Sequence, residues 1–215
     1  MAQKIRVLIG TCAALVAMVT SAAAQGTSAS EDPKWPLCRT GGDSRTADRT
    51  GAIAACTALI SAETSRTKRA EAYMWRGYAR FWRDEPDLAI KDFVAATDLD
   101  ADNATAWAWQ GATFDVQRRF SDAVERLNRA LALTPDAPGP LMYRGIAFAG
   151  LGLKETAMAD LNDAVRRLPD WAYGLYARSV VRRTMGDTAG ANADRAAAIQ
   201  KDAEIDRKMA RFFEP

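Results

Sequence analysis

Small residues recur in this chain at a spacing of 34 positions, and this period limits the available folds more than any other feature. Three columns have this spacing, and they consist of Gly77, Gly111, Gly145 and Ser179; of Ala89, Ala123, Ala157 and Ala191; and of Ala96, Ala130, Ala164 and Ala198. A fixed period of about this length is typical of arrays in which each unit buries its apolar face against the next. The period therefore predicts stacked helical units rather than one globular core.

The chemistry of the columns indicates what each unit is. Two antiparallel helices approach closely where they cross, and a side chain larger than Ala would push them apart, so Gly77 and Ala89 are predicted to mark that crossing. Ala96 is predicted to contact the next pair. Pro135 and Pro169 follow apolar helical runs, at points where a residue that cannot continue a helix favours a turn. Each unit is therefore predicted to be helix, turn, helix, turn.

These residues resemble the tetratricopeptide repeat, which combines large apolar, small and aromatic residues in a first helix with alanines and a closing proline in a second. The third repeat supplies Trp107, Gly111, Phe114, Ala123, Leu127, Ala130 and Pro135, and the fourth supplies Leu141, Gly145, Phe148, Ala157, Leu161, Ala164 and Pro169. The second repeat departs at Arg80 and Ala101, and the fifth at Ser179, Arg182 and Arg195. The resemblance implies an all-α, right-handed helical solenoid that binds other proteins.

The same pattern divides the chain into segments. We expect four repeats over 70–203, a partial first repeat, flanking segments at both ends, and a C-terminal helix that covers the last repeat. The predicted segments are a signal peptide at 1–24, an irregular arm at 25–45, the partial repeat at 46–69, full repeats at 70–103, 104–137, 138–171 and 172–203, and the capping helix at 204–215.

The N-terminal segment 1–24 has the composition of a secretory leader. Lys4 and Arg6 precede an apolar run from Val7 to Val19, and three alanines end at Ala24. This order is typical of a cleaved signal peptide, and the apolar run is short for a membrane span; an uncleaved anchor is the alternative. The sequence therefore predicts export to the periplasm of a Gram-negative bacterium, or secretion, with a mature chain that starts at Gln25.

Charge gives no sign of a polyanionic partner. The chain has 29 basic and 27 acidic residues, and loss of the leader leaves 27 of each. A neutral protein lacks the electrostatic attraction that nucleic acids and anionic membranes require. We expect a protein or peptide partner instead.

Two cysteines, Cys38 and Cys56, remain after the leader. A pair in an oxidising compartment is usually joined, so the sequence predicts a disulfide between them; two unrelated buried cysteines are the alternative.

The chain contains no histidine, which argues against most catalytic and metal sites. Without it, the usual general base, zinc ligand and activated nucleophile are missing. The carboxylate pairs, Asp84 with Glu85 and Asp160 with Asp163, are expected at helix ends or on exposed helix faces. No glycine-rich phosphate loop occurs. We therefore predict no catalysis, no metal and no cofactor.

The family resemblance implies that the first helix of each repeat lines a concave surface that binds the partner. The groove residues predicted in this way are large and apolar or aromatic, namely Met74, Trp75, Tyr78, Trp109, Met142, Tyr143, Ile146 and Tyr176. Such a surface fits a helix or an extended peptide with large apolar side chains. The alternative is that some of these residues belong to the core, as aromatic stripes at helical spacing often do.

Apolar residues also recur at helical spacing after the last repeat, at Ile205, Met209 and Phe212. We expect a helix that caps the solenoid, with a dimer contact through Phe212 and Phe213 as the alternative. The predicted function is a periplasmic adaptor or assembly factor. A structural homo-oligomer whose groove is filled by a neighbouring subunit is the second hypothesis, and an enzyme that uses carboxylates alone is a remote third.

Overall fold

The computed structural model describes residues 32–40 and 48–213. The predicted leader at 1–24 and its cleavage site lie outside these residues. Over the described ranges the chain forms eleven α-helices and no strand. The helices are α1 (Lys34–Thr40), α2 (Arg49–Ala62), α3 (Arg66–Trp82), α4 (Pro86–Leu99), α5 (Ala104–Val116), α6 (Phe120–Leu133), α7 (Pro138–Gly150), α8 (Lys154–Arg167), α9 (Ala172–Thr184), α10 (Thr188–Lys201) and α11 (Ile205–Phe213).

The helices pack in consecutive pairs, α3 with α4, α5 with α6, α7 with α8 and α9 with α10, and each pair then packs on the next. Helices α5, α7 and α9 begin at Ala104, Pro138 and Ala172, which have the same spacing as the columns of small residues. The predicted all-α solenoid is therefore confirmed, and its period follows from the repeated helix pair.

The small residues lie where the helices of a pair come closest. A Cβ atom added at Gly77 would lie 2.7 Å from Cε1 of Phe93, and one at Gly145 would lie 2.8 Å from Cγ of Leu161. Distances this short are not tolerated between carbon atoms, so the neighbouring ring or side chain would have to shift. Ala157, on α8 opposite Gly145, has no exposed surface. Close helix contact thus accounts for the first two columns.

A second series with the same period joins the two helices of three repeats through buried ion pairs. In each, an arginine of the first helix donates two hydrogen bonds to an aspartate of the second, with N–O distances of 2.7 to 3.0 Å. The pairs are Arg76 with Asp92, Arg144 with Asp160, and Arg178 with Asp194. In the remaining repeat Gln110 takes the arginine position and donates to the carbonyl oxygen of Phe93 at 3.2 Å.

This arrangement corrects the expectation that Asp160 lies at a helix end or on an exposed face. Asp160 is 9% exposed and bonds Arg144, because the position that faces the partner helix is hidden between the two helices of the repeat. Planar guanidinium and carboxylate groups match in such two-point contacts.

The turns inside the four repeats also share one conformation. Asp84, Arg118, Gly152 and Gly186 occupy equivalent positions in successive repeats, and each has a positive φ angle, of 64°, 61°, 78° and 87°. Glycine adopts this left-handed conformation freely, whereas other residues do so at a cost in free energy. The first two repeats therefore accept backbone strain that the last two avoid.

The N-terminal segment is more ordered than the sequence predicts. Part of the expected irregular arm at 25–45 forms the helix α1, because Trp35 and Cys38 recur one turn apart and both bury against α2. The predicted disulfide is present between Cys38 and Cys56, with Cα atoms 4.9 Å apart. It links α1 to α2.

None of the helices in the described part of the chain combines the length and the apolar character that a membrane span needs.

Candidate functional site

The odd-numbered helices form the inner side of the solenoid. Contacts run from α3 to α5, from α5 to α7 and from α7 to α9, whereas no contacts of similar extent join the even-numbered helices of successive repeats in the described chain. Helices on the inside of a curved array are closer together than those on the outside. The concave surface is therefore built from α3, α5, α7 and α9.

Aromatic side chains from all four of these helices lie on this inner side. We call this set the aromatic groove, and it consists of Tyr78, Phe81 and Trp82 of α3, Trp109 of α5, Tyr143 of α7 and Tyr176 of α9. Trp109 is its centre, with ring centroids 4.5 Å from Tyr78, 5.2 Å from Phe81 and 5.8 Å from Tyr143. Tilted and edge-on ring pairs at such distances are favourable.

The C-terminal helix α11 occupies the aromatic groove. The ring centroid of Phe212 lies 5.5 Å from that of Tyr143 and 6.1 Å from that of Phe81, and Phe213 lies 6.2 Å from Tyr176. Phe212 is 1% exposed. In packing against α5, α9 and α10, α11 does more than the expected capping helix, which would cover the last repeat alone.

Charged groups hold one end of α11 at the edge of the groove. The Arg211 guanidinium bonds the carboxylate of Asp84 at 2.8 Å, and its Cζ lies 4.3 Å from the ring centroid of Phe81 and 5.5 Å from that of Trp82. Burial lowers the pKa of Arg211, and Asp84 opposes that shift. Arg118 donates a hydrogen bond to the carbonyl oxygen of Phe212 at 3.2 Å. Asp84 and Arg118, which contact the C-terminal end of α11, are the two strained turn residues.

The predicted groove residues separate into two groups. Tyr78, Trp109, Tyr143 and Tyr176 belong to the aromatic groove, whereas the other four lie beside it or in the core, and of these Trp75 contacts Tyr78 with ring centroids 5.9 Å apart. Met142 and Ile146 are buried in the cluster that also contains Ile205, Met209 and Phe212.

The two remaining residues, Met74 and Trp75, take part in contacts nearer the N-terminus. Met74 packs with Ala96 and Ala106 between repeats. Trp75 packs against the N-terminal cluster around the disulfide, and its indole N–H donates to Glu71 at 3.4 Å.

Comparison with known proteins identifies the repeat. The family model described as tetratricopeptide repeat matches residues 83–138 and 113–170. These matches overlap and cover the middle of the solenoid. Residues 83–170 of the chain consist of tetratricopeptide repeats. No curated protein sequence matches it significantly.

Solved structures with tetratricopeptide repeats share the fold at low sequence identity. TTC0263 of Thermus thermophilus is 17% identical, covers 76% of this chain and 88% of its own, and has a TM-score of 0.64. MamA of Desulfovibrio magneticus RS-1 is 16% identical, covers 74% and 86%, and has a TM-score of 0.58. The first such domain of Spaghetti (RPAP3), bound to the HSP90 peptide SRMEEVD, is 19% identical, covers 56% and 95%, and has a TM-score of 0.52.

Sequence reasoning missed two aromatic and two charged residues of this tetratricopeptide-repeat site. Phe81 and Trp82 follow Tyr78 by three and four positions, so helical spacing alone places them on its face of α3. Asp84 and Arg118 lie in turns, and the sequence feature that could have identified them is that they recur with Gly152 and Gly186 at the repeat period of 34 residues.

Proposed function

We propose that this tetratricopeptide-repeat protein is an exported, non-catalytic adaptor or assembly factor that binds a segment of another protein in its aromatic groove. The observation that carries the proposal is the contact between the aromatic groove and α11, because it indicates which kind of segment fits: a short helix with large apolar side chains. Aromatic residues on a rigid surface are the usual anchors of protein interfaces. A tetratricopeptide domain of the same fold holds a peptide in Spaghetti.

Two features support export as part of the proposal. The segment 1–24 has the order of a secretory leader, with a basic start, an apolar run and small residues at the end. The disulfide between Cys38 and Cys56 would persist in an oxidising compartment such as the periplasm.

The test compares capture of envelope proteins by the purified chain and by two variants. Tyr176→Ser removes a ring from the aromatic groove, and Ile199→Ser removes an exposed apolar side chain from α10, outside the groove. We expect the first variant to lose a captured protein that the wild type and the second variant retain, with a loss of about 2 kcal/mol in binding free energy if Tyr176 is an anchor. Equal capture by both variants would contradict binding in the aromatic groove.

A further inference from the structure

Helix α11 is short, and its stability depends on the aromatic groove. It has nine residues, against 13 to 17 in the helices α3 to α10. A helix this short has little stability of its own, so it remains folded only while its apolar face is covered. Its solvent side carries exposed charges such as Arg207, which bonds Glu204 within the same segment. Loss of the groove contacts would therefore unfold α11.

The groove recognises α11 through two distinct kinds of contact. Phe212 and Phe213 meet Phe81, Tyr143 and Tyr176, which favour aromatic rings. The edge of the groove, by contrast, favours a cation.

At that edge, Arg211 contacts the Asp84 carboxylate and lies over the faces of Phe81 and Trp82. A planar cation gains from both contacts, whereas an anion at the same place would be repelled by Asp84. The groove therefore selects a helical segment in which an arginine is followed directly by aromatic residues.

The turns that contact α11 are the strained ones. Asp84 bonds Arg211 and Arg118 bonds the Phe212 carbonyl, and both have left-handed backbone where Gly152 and Gly186 occupy the equivalent turns. Polar side chains in such conformations cost stability and often occur at binding sites. In the first two full repeats, the turn residues Asp84 and Arg118 thus have side chains that contact the occupant of the groove.

We propose that α11 is a replaceable occupant of the aromatic groove, and that the partner is a protein segment with the same chemistry: a short amphipathic helix carrying arginine followed by two aromatic residues. This rests on the proposed function, since it names the ligand of the same groove. Because α11 is tethered next to the groove, it competes at high effective concentration and lowers the apparent affinity for any partner. The partner binds when α11 leaves.

The experiment uses a fluorescent peptide with the sequence of residues 203–215 and the full chain. Phe212→Ala removes the central ring of α11, and Arg211→Ala removes its cation without opening the core. Arg207→Ala is the matched control on the solvent side of the same helix. We expect each of the first two variants to bind the peptide at least about tenfold more tightly than the wild type and the control, because their own α11 competes less well. A peptide that carries Phe212→Ala should not bind.

Hydrogen exchange and molar mass in solution decide the other outcomes. One outcome is that Arg211→Ala and Phe212→Ala bind the peptide no better than wild type while the α11 amides exchange as slowly as those of α9. In that case α11 is a permanent part of the fold and this inference is overturned. Capture of a partner at the groove edge would then still support the proposed function. If α11 exchanges freely and no peptide binds, the groove does not accept helices and the proposed function fails too. A wild-type dimer that Phe212→Ala makes monomeric would identify a second copy as the occupant, which also overturns the inference.

Discussion

Asp115 carries a carboxyl group that is fully buried within the solenoid. Neither of its side-chain oxygens has a hydrogen-bond partner among the described residues, and the residue has no exposed surface. It occupies in α5 the position that Phe81 holds in α3, one repeat earlier. Burial raises the pKa of Asp115 well above its usual range, and the charge of Arg118 opposes this shift. The folded chain therefore favours the protonated form.

The raised pKa predicts how stability depends on pH. The protonated Asp115 carboxyl group contributes stability that is fully present below the usual carboxyl pKa of about 4. This stability is lost as the pH rises through the pKa of Asp115 in the folded state. Asp115→Asn cannot ionise, so we expect it to raise the free energy of unfolding at neutral pH by about 1 to 3 kcal/mol and to flatten this part of the pH profile. Denaturant titrations between pH 4 and 8 measure both.

Asp98→Asn, on the exposed side of α4, is the control and should leave the profile unchanged. An unchanged profile for Asp115→Asn would mean that the carboxyl group is solvated in solution.

The close helix crossings make a second prediction. Ala157 has no exposed surface and its carbonyl oxygen lies 3.1 Å from the place of a Cβ atom on Gly145. Ala157→Leu should therefore lower the free energy of unfolding by about 1 to 3 kcal/mol, because an overpacked crossing forces the helices apart. Ala159→Leu, two positions later on the exposed face of α8, should change it by less than about 0.5 kcal/mol. Chemical denaturation of both variants measures the difference, and equal losses would contradict the assignment of the crossing.

At the scale of helices, the repeat itself could be predicted, and so could the existence of α11. Small residues indicate a close crossing when they recur at the repeat period, and Ile205, Met209 and Phe212 have helical spacing. The destination of α11 could not be predicted, because it depends on contacts such as Arg211 with Asp84, which are 127 residues apart. The ion pairs of Arg144 with Asp160 and its equivalents were also missed, since charged residues on a helix usually face water.

The pair formed by α1 and α2 gives a prediction for reduction. The disulfide between Cys38 and Cys56 joins them across 18 residues, and such a link contributes about 3 kcal/mol by the chain-entropy model. We expect reduction, or Cys56→Ser, to increase hydrogen exchange in α1 and α2 while α7 to α10 keep their protection, because repeat proteins transmit stability mainly between adjacent units. Mass spectrometry resolves the helices separately. Equal loss of protection throughout the chain would refute local stabilisation.

At the scale of the whole molecule, the proposed export predicts the start of the mature protein. Cleavage after Ala24 would leave Gln25 as the first residue, since small residues precede the cleaved bond in signal peptides. N-terminal sequencing of the protein from fractionated cells measures this directly. We expect Gln25 or a close neighbour in the periplasmic fraction, whereas recovery of Met1 or Ala2 would contradict processing.

The position of α11 also changes how the array should unfold. A linear array loses its units one after another, because each unit touches only the next. Here α11 joins α9 to α5 and, through Phe212 and Arg211, to Phe81 and Asp84 of α3, so it acts as a cross-brace between units that do not adjoin. While α11 is in place, we expect the repeats from α3 to α10 to melt as one cooperative unit, and displacement of α11 would return them to unfolding one unit at a time.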